Sequence, residues 1–108
     1  MKKYKRKFSE SVLSAITEVD TEYLDDASIL RISISAEQSA VNLYQRLAQS
    51  TKNTKLKKIL LDVAKEEKVH VAEFQAMLDE VDGEEVSTRE EGYSEVKNKF
   101  WIISILIL

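Results

Sequence analysis

Apolar residues recur through the middle of this chain at steps of three and four. Leu56, Leu60, Val63, Glu67, His70, Phe74, Met77 and Val81 fall on one such ladder, and Leu30, Ile34, Glu37, Val41, Tyr44, Leu47 and Ala48 on another. Side chains at this spacing stack on one face of an α-helix, so the pattern predicts two amphipathic helices. The first is expected to begin near Asp20-Thr21, good N-cap residues. Glu22, Asp25 and Asp26 follow them in the early turns, where carboxylates meet the positive end of the helix dipole. It runs to about Ser50. The polar run from Gln49 to Thr54 reads as a short connection, and the second helix continues to about Val81, with Gly83 as its C′ residue. A connection this short makes the pair an antiparallel hairpin. Ser87-Thr88-Arg89-Glu90 has the spacing of a capping box and is expected to open a short third helix into the apolar end of the chain. Phe8, Val12, Leu13 and Ile16 suit a short helix near the N-terminus. The expected organisation is one domain over 1–108: an arm at 1–19, the hairpin at 20–82, and a C-terminal helix with its apolar tail at 87–108.

Composition supports an all-α reading. The chain has 108 residues, two glycines and no proline, and is rich in Ala, Leu, Glu and Lys. Its net charge of −3 gives no reason to expect a nucleic-acid partner. The basic run Lys2 to Lys7 reads as a solvated end. Without cysteine, disulfides, thiolate zinc sites and iron–sulfur clusters are excluded, and a single histidine excludes histidine-rich metal sites. Any metal would have to be held mainly by carboxylates. Behind the basic start, Ser9, Glu10, Ser11 and Ser14 break up any apolar run of signal-peptide length, so export is not expected. The stretch from Phe100 to Leu108 is almost wholly apolar, but nine residues are far short of the roughly 20 a spanning helix needs. Packing on another subunit, docking on a larger partner, and the chain being a piece of a longer one all account for this tail.

Both ladders carry an acid on their apolar face. Leaving an ionised carboxylate buried and unpartnered costs several kcal/mol, roughly. Glu37 is surrounded by Ile34, Ala36, Ala40 and Val41, with no basic residue one turn away to neutralise it. Glu67 and His70, three apart, share a face. Di-iron sites in four-helix bundles take a Glu from each of two helices and a Glu-x-x-His from each of the other two. Carboxylates bridge hard ions and offset their charge, and each imidazole takes a terminal position. This chain supplies half that set, and two helices alone cannot enclose a core. A two-fold dimer remedies both deficits, bringing two copies of Glu37, Glu67 and His70 to one axis. The competing account is a buried Glu67–His70 hydrogen bond that sets register in a non-catalytic helical oligomerisation module; it leaves Glu37 unexplained. Tyr44, two turns beyond Glu37, either serves a metal-bound carboxylate or simply packs. Asp62, Glu66 and Glu73 fall off the stripe and are read as solvated.

Glu37, Tyr44, Glu67 and His70, with the interval between the two glutamates, resemble the ferroxidase-centre pattern of the encapsulated ferritins. The stretches Ser35-Ala36-Glu37, Asn42-Leu43-Tyr44 and Ile59 through His70 are similar to the ferritin-like domain found with, or fused to, encapsulin shell proteins. The resemblance covers about residues 22 to 100. It implies half of a ferritin-like four-helix bundle, completed by dimerisation, with a di-iron centre shared between two subunits. It also implies a ring-shaped decamer working inside an encapsulin nanocompartment in the cytoplasm, with no transmembrane span. Relatives with an acidic metal-entry site carry carboxylates where this chain has Ala36 and Ser39, so the resemblance does not extend to that site. The function it implies is ferroxidase: Fe(II) is oxidised to Fe(III) by dioxygen, feeding iron storage. Glu67 would bridge the metals, Glu37 would be a carboxylate ligand, His70 would cap each iron, and Tyr44 would stand near the reaction. A rubrerythrin-like peroxide-reducing protein is the remaining alternative, weakened because no cysteine exists to hold an electron-relay iron.

Overall fold

A computed structural model describes residues 23–107. The 1–19 arm with its Phe8–Ile16 helix, Asp20-Thr21 and Leu108 lie outside the described residues, but the first α-helix begins only at Asp26 behind the N-cap Asp25, so the expected start near Asp20-Thr21 is too early. Three helices follow in order: α1 (Asp26–Ser50), α2 (Thr54–Val81) and α3 (Glu84–Ile107). The described part is all-α, and α1 and α2 form the expected antiparallel hairpin.

Each end of the hairpin has a local chemical cause. Asp25 is the N-cap of α1, and its carboxylate accepts from the Ser28 amide at 2.8 Å. Asn53 caps α2, its side-chain oxygen accepting from the Lys55 and Leu56 amides at 3.1 Å each. Those amides would otherwise lack partners at the helix start. Asn53→Ala is therefore expected to destabilise the hairpin by about 1 kcal/mol, measured as a lowered midpoint in chemical denaturation with unchanged helix signal beforehand.

The connection out of α2 departs from the expected form. Gly83 does follow the helix, yet no glycine among the described residues has positive φ. Asp82 leaves α2 in an extended conformation and its side chain accepts from the Glu84 amide at 3.1 Å. The next helix begins at once, so no left-handed reversal is needed. Nor does the Ser87–Glu90 box open that helix. It starts three residues earlier, and the Ser87 and Thr88 hydroxyls donate back to the Glu84 carbonyl at 3.1 and 2.7 Å. In the interior of a helix these hydroxyls bond to the preceding turn instead of capping. At 24 residues, α3 is also not the short helix expected.

Burial is narrower than the ladders predict, and rotated. Among the described residues, Val41 and Ala48 on α1, and Ala64 and Leu78 on α2, are the buried apolar residues. On α2, Leu56, Met77 and Val81, all expected in the core, are 46%, 49% and 44% exposed; on α1, Leu47 is likewise exposed. At about 100° per residue, Leu60, Ala64, Val71 and Leu78 lie within about 40° of one another, whereas His70 and Met77 lie more than 100° from Ala64. One partner helix covers only that first strip. The other flank of the apolar ladder, which includes Val63, His70, Met77 and Val81, is left for something else to cover.

Side-chain ion pairs hold the far end. The Arg31 guanidinium on α1 reaches both Asp82 and Glu85, the latter at 3.0 Å. Arg89 on α3 grips Asp79 on α2 with two parallel bonds of 3.0 and 2.7 Å, the fork geometry that suits guanidinium and carboxylate. These two contacts set where α3 leaves the hairpin. None of its residues is buried, and Phe100 to Ile107 stand exposed. Among the described residues, no helix is long and apolar enough to cross a membrane.

Hydrogen bonds from Arg89 and Gln75 hold the Asp79 carboxyl below its usual 3.8. The Glu84 amide, then Arg31, does the same for Asp82, and the Ser28 bonds do so for Asp25. A carboxyl depressed in the folded state favours folding above its unfolded value and loses that contribution as pH falls through the folded value. Stability is thus expected to decline below about pH 4. Asp25 is exposed and Asp79 and Asp82 are only half-buried, so solvent screens all three and each contribution is small. Arg89→Gln should flatten the decline in an acid titration followed by helix signal.

Candidate metal centre

Antiparallel packing brings the middle of α1 against the middle of α2. It is this register that sets Glu37 beside the Glu67–His70 turn. The His70 ring nitrogen Nδ1 lies 3.3 Å from a Glu67 carboxylate oxygen and 3.7 Å from one of Glu37. One ligand atom from each of the three lies within 4.8 Å of the other two. Their spread is about what a single cation, or one ion of a pair, can draw together.

The cluster sits at the edge of the hairpin. The side chains of Glu37 and Glu67 are 25% and 19% exposed, and that of His70 is 47% exposed. The three were expected to point into an interior. Within one chain they instead line an open margin, because the strip buried against α1 centres on Ala64 and Leu78. The buried Glu–His pair of the competing account is therefore not present in the single chain. It would need the same second copy that a metal centre needs.

The donor set fits a divalent metal. Two carboxylates and one imidazole are hard and borderline ligands that suit iron, manganese or zinc. Glu37 has no lysine or arginine partner among the described residues, and its carboxylate faces the His70 ring. The set is also too small for a closed site. Three side chains leave several positions of an octahedral ion open, and two ions would share fewer than two protein ligands each.

The other candidates fall elsewhere. Tyr44 is half-buried on α1, seven residues on from Glu37 and so about 10 Å further along the axis. Asp62, Glu66 and Glu73 are exposed, as expected of solvated charges. The Arg31 and Arg89 ion pairs, which hold the far end of the hairpin and the start of α3, have no signal in the periodicity. Arg31 and Asp82 are 51 residues apart in sequence, and only the fold makes them neighbours.

Known proteins share this architecture. A family model described as Rubrerythrin matches residues 28–104. The chain is 49% identical over 69 residues to the ferritin-like-encapsulin shell fusion protein of Pyrococcus furiosus. That match takes in 64% of this chain and 20% of the fusion protein, so the chain spans about one fifth of that relative's length. It is also similar to the encapsulated ferritin domain from Pyrococcus furiosus, known from a crystal structure. There the TM-score is 0.66 and the identity 47%, over 67% of this chain and 74% of that one. With the family model matching most of the chain and the encapsulated ferritin domain sharing both fold and 47% of its sequence, the chain belongs to the rubrerythrin family and, within it, to the encapsulated ferritins.

Proposed function

We propose that this protein is a ferroxidase, oxidising Fe(II) to Fe(III) with dioxygen at a centre that two copies of the chain complete. The observation that carries this reading is the convergence of Glu37, Glu67 and His70 at an open edge, with a spacing that suits a cation and too few ligands to close around one. A second copy related by a two-fold axis doubles the set to four carboxylates and two imidazoles. It also covers the exposed flank that includes Val63, Met77 and Val81, which gives the association an apolar driving force as well as a ligand one.

Ferrous iron is the substrate. Glu67, next to the axis, would bridge two ions, Glu37 would add a terminal carboxylate and His70 a terminal nitrogen. Each iron gives up one electron, and dioxygen takes the two electrons with two protons from water and leaves as hydrogen peroxide. Carboxylate-rich ligation favours the ferric product, because the added positive charge is met by anionic oxygen. What this chain contributes is ligand number, charge and position. The imidazole is held with its Nδ1 turned towards both carboxylates, where a shared cation would meet it. Tyr44 would act, if at all, through the groups around the centre rather than as a ligand.

The relatives suggest the setting. One is a fusion with an encapsulin shell and another is an encapsulated ferritin domain. We place this protein with an encapsulin shell in a cytoplasmic nanocompartment, its dimers arranged as a ring-shaped decamer. An open ring encloses no mineral of its own, so the shell would be where ferric product accumulates. The test mixes purified protein with Fe(II) without oxygen and then admits air. Ferric absorbance should rise and saturate at a fixed ratio of iron to dimer. A trace no faster than iron in buffer alone would end the proposal.

A further inference from the structure

α3 changes character along its length instead of across its width. Its first part carries Glu84, Glu85, Glu90, Glu91 and Glu95, the next turn carries Lys97 and Lys99, and from Phe100 it is apolar. The apolar side chains from Phe100 to Ile107 are 49% to 79% exposed. At about 100° per residue they leave no arc of the helix wider than about 100° without one of them. Ser104 is the single polar side chain in that stretch. Its hydroxyl donates to the Phe100 carbonyl at 2.9 Å, so it needs no partner from outside the helix.

Such a segment does not suit a protein groove. A helix docked on a subunit or another partner buries one stripe and keeps a polar back. One that is apolar on every side has to be surrounded, as lipid surrounds it. The basic collar points the same way. Among the described residues Lys97 and Lys99 take no part in an ion pair. Ammonium groups at the foot of an apolar helix reach the anionic headgroups beside it. Trp101 stands between collar and tip, the level that indole rings favour at a membrane–water interface. Length sets the depth. Eight residues rise about 12 Å, far short of the roughly 30 Å hydrocarbon core but close to the depth of one leaflet. Arg89 clamps the start of α3 to Asp79, and Phe100 lies about 16 Å further along the axis. The hairpin therefore stays in water while the tip enters.

We propose that the Phe100–Ile107 tip of α3 inserts into one leaflet of an anionic bilayer, with Lys97 and Lys99 on its phosphate headgroups. This makes α3 a reversible lipid anchor, not a span. The inference uses α3 alone and nothing of the metal centre. A copy held in lipid stands outside a shell, so bilayer and shell are alternative settings for one chain.

Trp101 is the sole tryptophan, and its fluorescence reports on the tip directly in the unaltered protein. With vesicles of mixed phosphatidylglycerol and phosphatidylcholine, its emission is expected to shift to the blue and to be quenched by brominated acyl chains. Vesicles of phosphatidylcholine alone should bind on the order of thirtyfold more weakly, since each lysine near an anionic surface contributes about a fivefold factor. Lys97→Glu with Lys99→Glu should remove that preference. Ile103→Asp with Leu106→Asp should abolish the shift while the hairpin keeps its helix signal. No shift with either vesicle, no quenching by brominated chains, a preference that survives the lysine changes, or binding that survives the aspartates would each overturn the proposal. So would a blue shift that appears without lipid as protein concentration rises, because the tips would then be buried in one another. Iron oxidation read on the same samples keeps the two readings apart. Its absence counts against the metal centre and leaves the anchor standing, and loss of lipid binding with oxidation retained does the reverse.

Discussion

In His70→Ala, iron oxidation is expected to fall on the order of a hundredfold or more, with the helices intact, because one substitution removes two ligands from a shared centre. Glu37→Ala should do the same. The side chains in question are 25% to 47% exposed in the single chain, and they take no part in the strip that holds α1 to α2. Truncating them removes donors without opening a cavity, so helix content should survive while activity does not. Glu37→Gln is the sharper variant. It keeps shape and hydrogen bonding but removes the charge that offsets the metal, so it should also fail to oxidise iron. If Glu37→Gln or His70→Ala oxidised iron at the full rate, the assignment of these residues would be wrong. Circular dichroism and stopped-flow ferric absorbance on the same preparations separate loss of chemistry from loss of fold.

Metal should also drive association. Ligands drawn from two copies exist together only in the dimer, so any cation that binds there stabilises the dimer and has no equal site on the monomer. At a free concentration about a hundredfold above its dissociation constant, a cation adds about 2.7 kcal/mol per site, or roughly a hundredfold in the dimerisation constant. The expected result is a shift from smaller to larger species when a ferrous or other divalent salt is added anaerobically, reversed by a chelator. Native mass at low micromolar chain is the readout. His70→Ala should abolish the shift while leaving its metal-free mass unchanged. Association that ignores metal altogether would instead favour a dimer held by the apolar flank, with the Glu–His contact serving only register.

The two predictions rest on features of different legibility. That Glu37, Glu67 and His70 belong together was readable from the ladders alone. Each stands on an apolar face at helical spacing, Glu37 has no base within a turn, and a short polar connection folds one ladder back on the other. The turn between Ser50 and Thr54 was readable too, because Asn53 and its neighbours are local chemistry acting within three or four residues, whereas α2 ends at Val81 through an extended Asp82 and not through the Gly83 reversal the sequence suggested. The ladder was misleading about depth. It reports how much of a helix is apolar, and one partner helix covers only part of that width. So Met77, Val81 and Leu47 came out exposed, and the three polar groups lie at a margin instead of in a core.

The start of α3 differs from its local pattern for a similar reason. Ser87 and Glu90 do have capping-box spacing, yet hydroxyls inside a helix are equally satisfied by the carbonyl one turn back, as Ser87 and Thr88 are by Glu84. Which of the two occurs depends on where the preceding helix ends. Asp82 settles that by taking the Glu84 amide and the Arg31 side chain together. Local patterning offers several acceptable starts, and a long-range contact selects among them.

By itself, then, the order of residues determined two amphipathic helices, their antiparallel return and the identity of the three polar side chains on their apolar faces. These come from periodicity and capping, which act over a few residues. Only the tertiary structure decided which flank of each helix is covered and which stays open, where α3 departs, and how near His70 comes to Glu37. Those depend on how two cylinders meet and on ion pairs between residues far apart in sequence, and neither leaves a mark in local spacing.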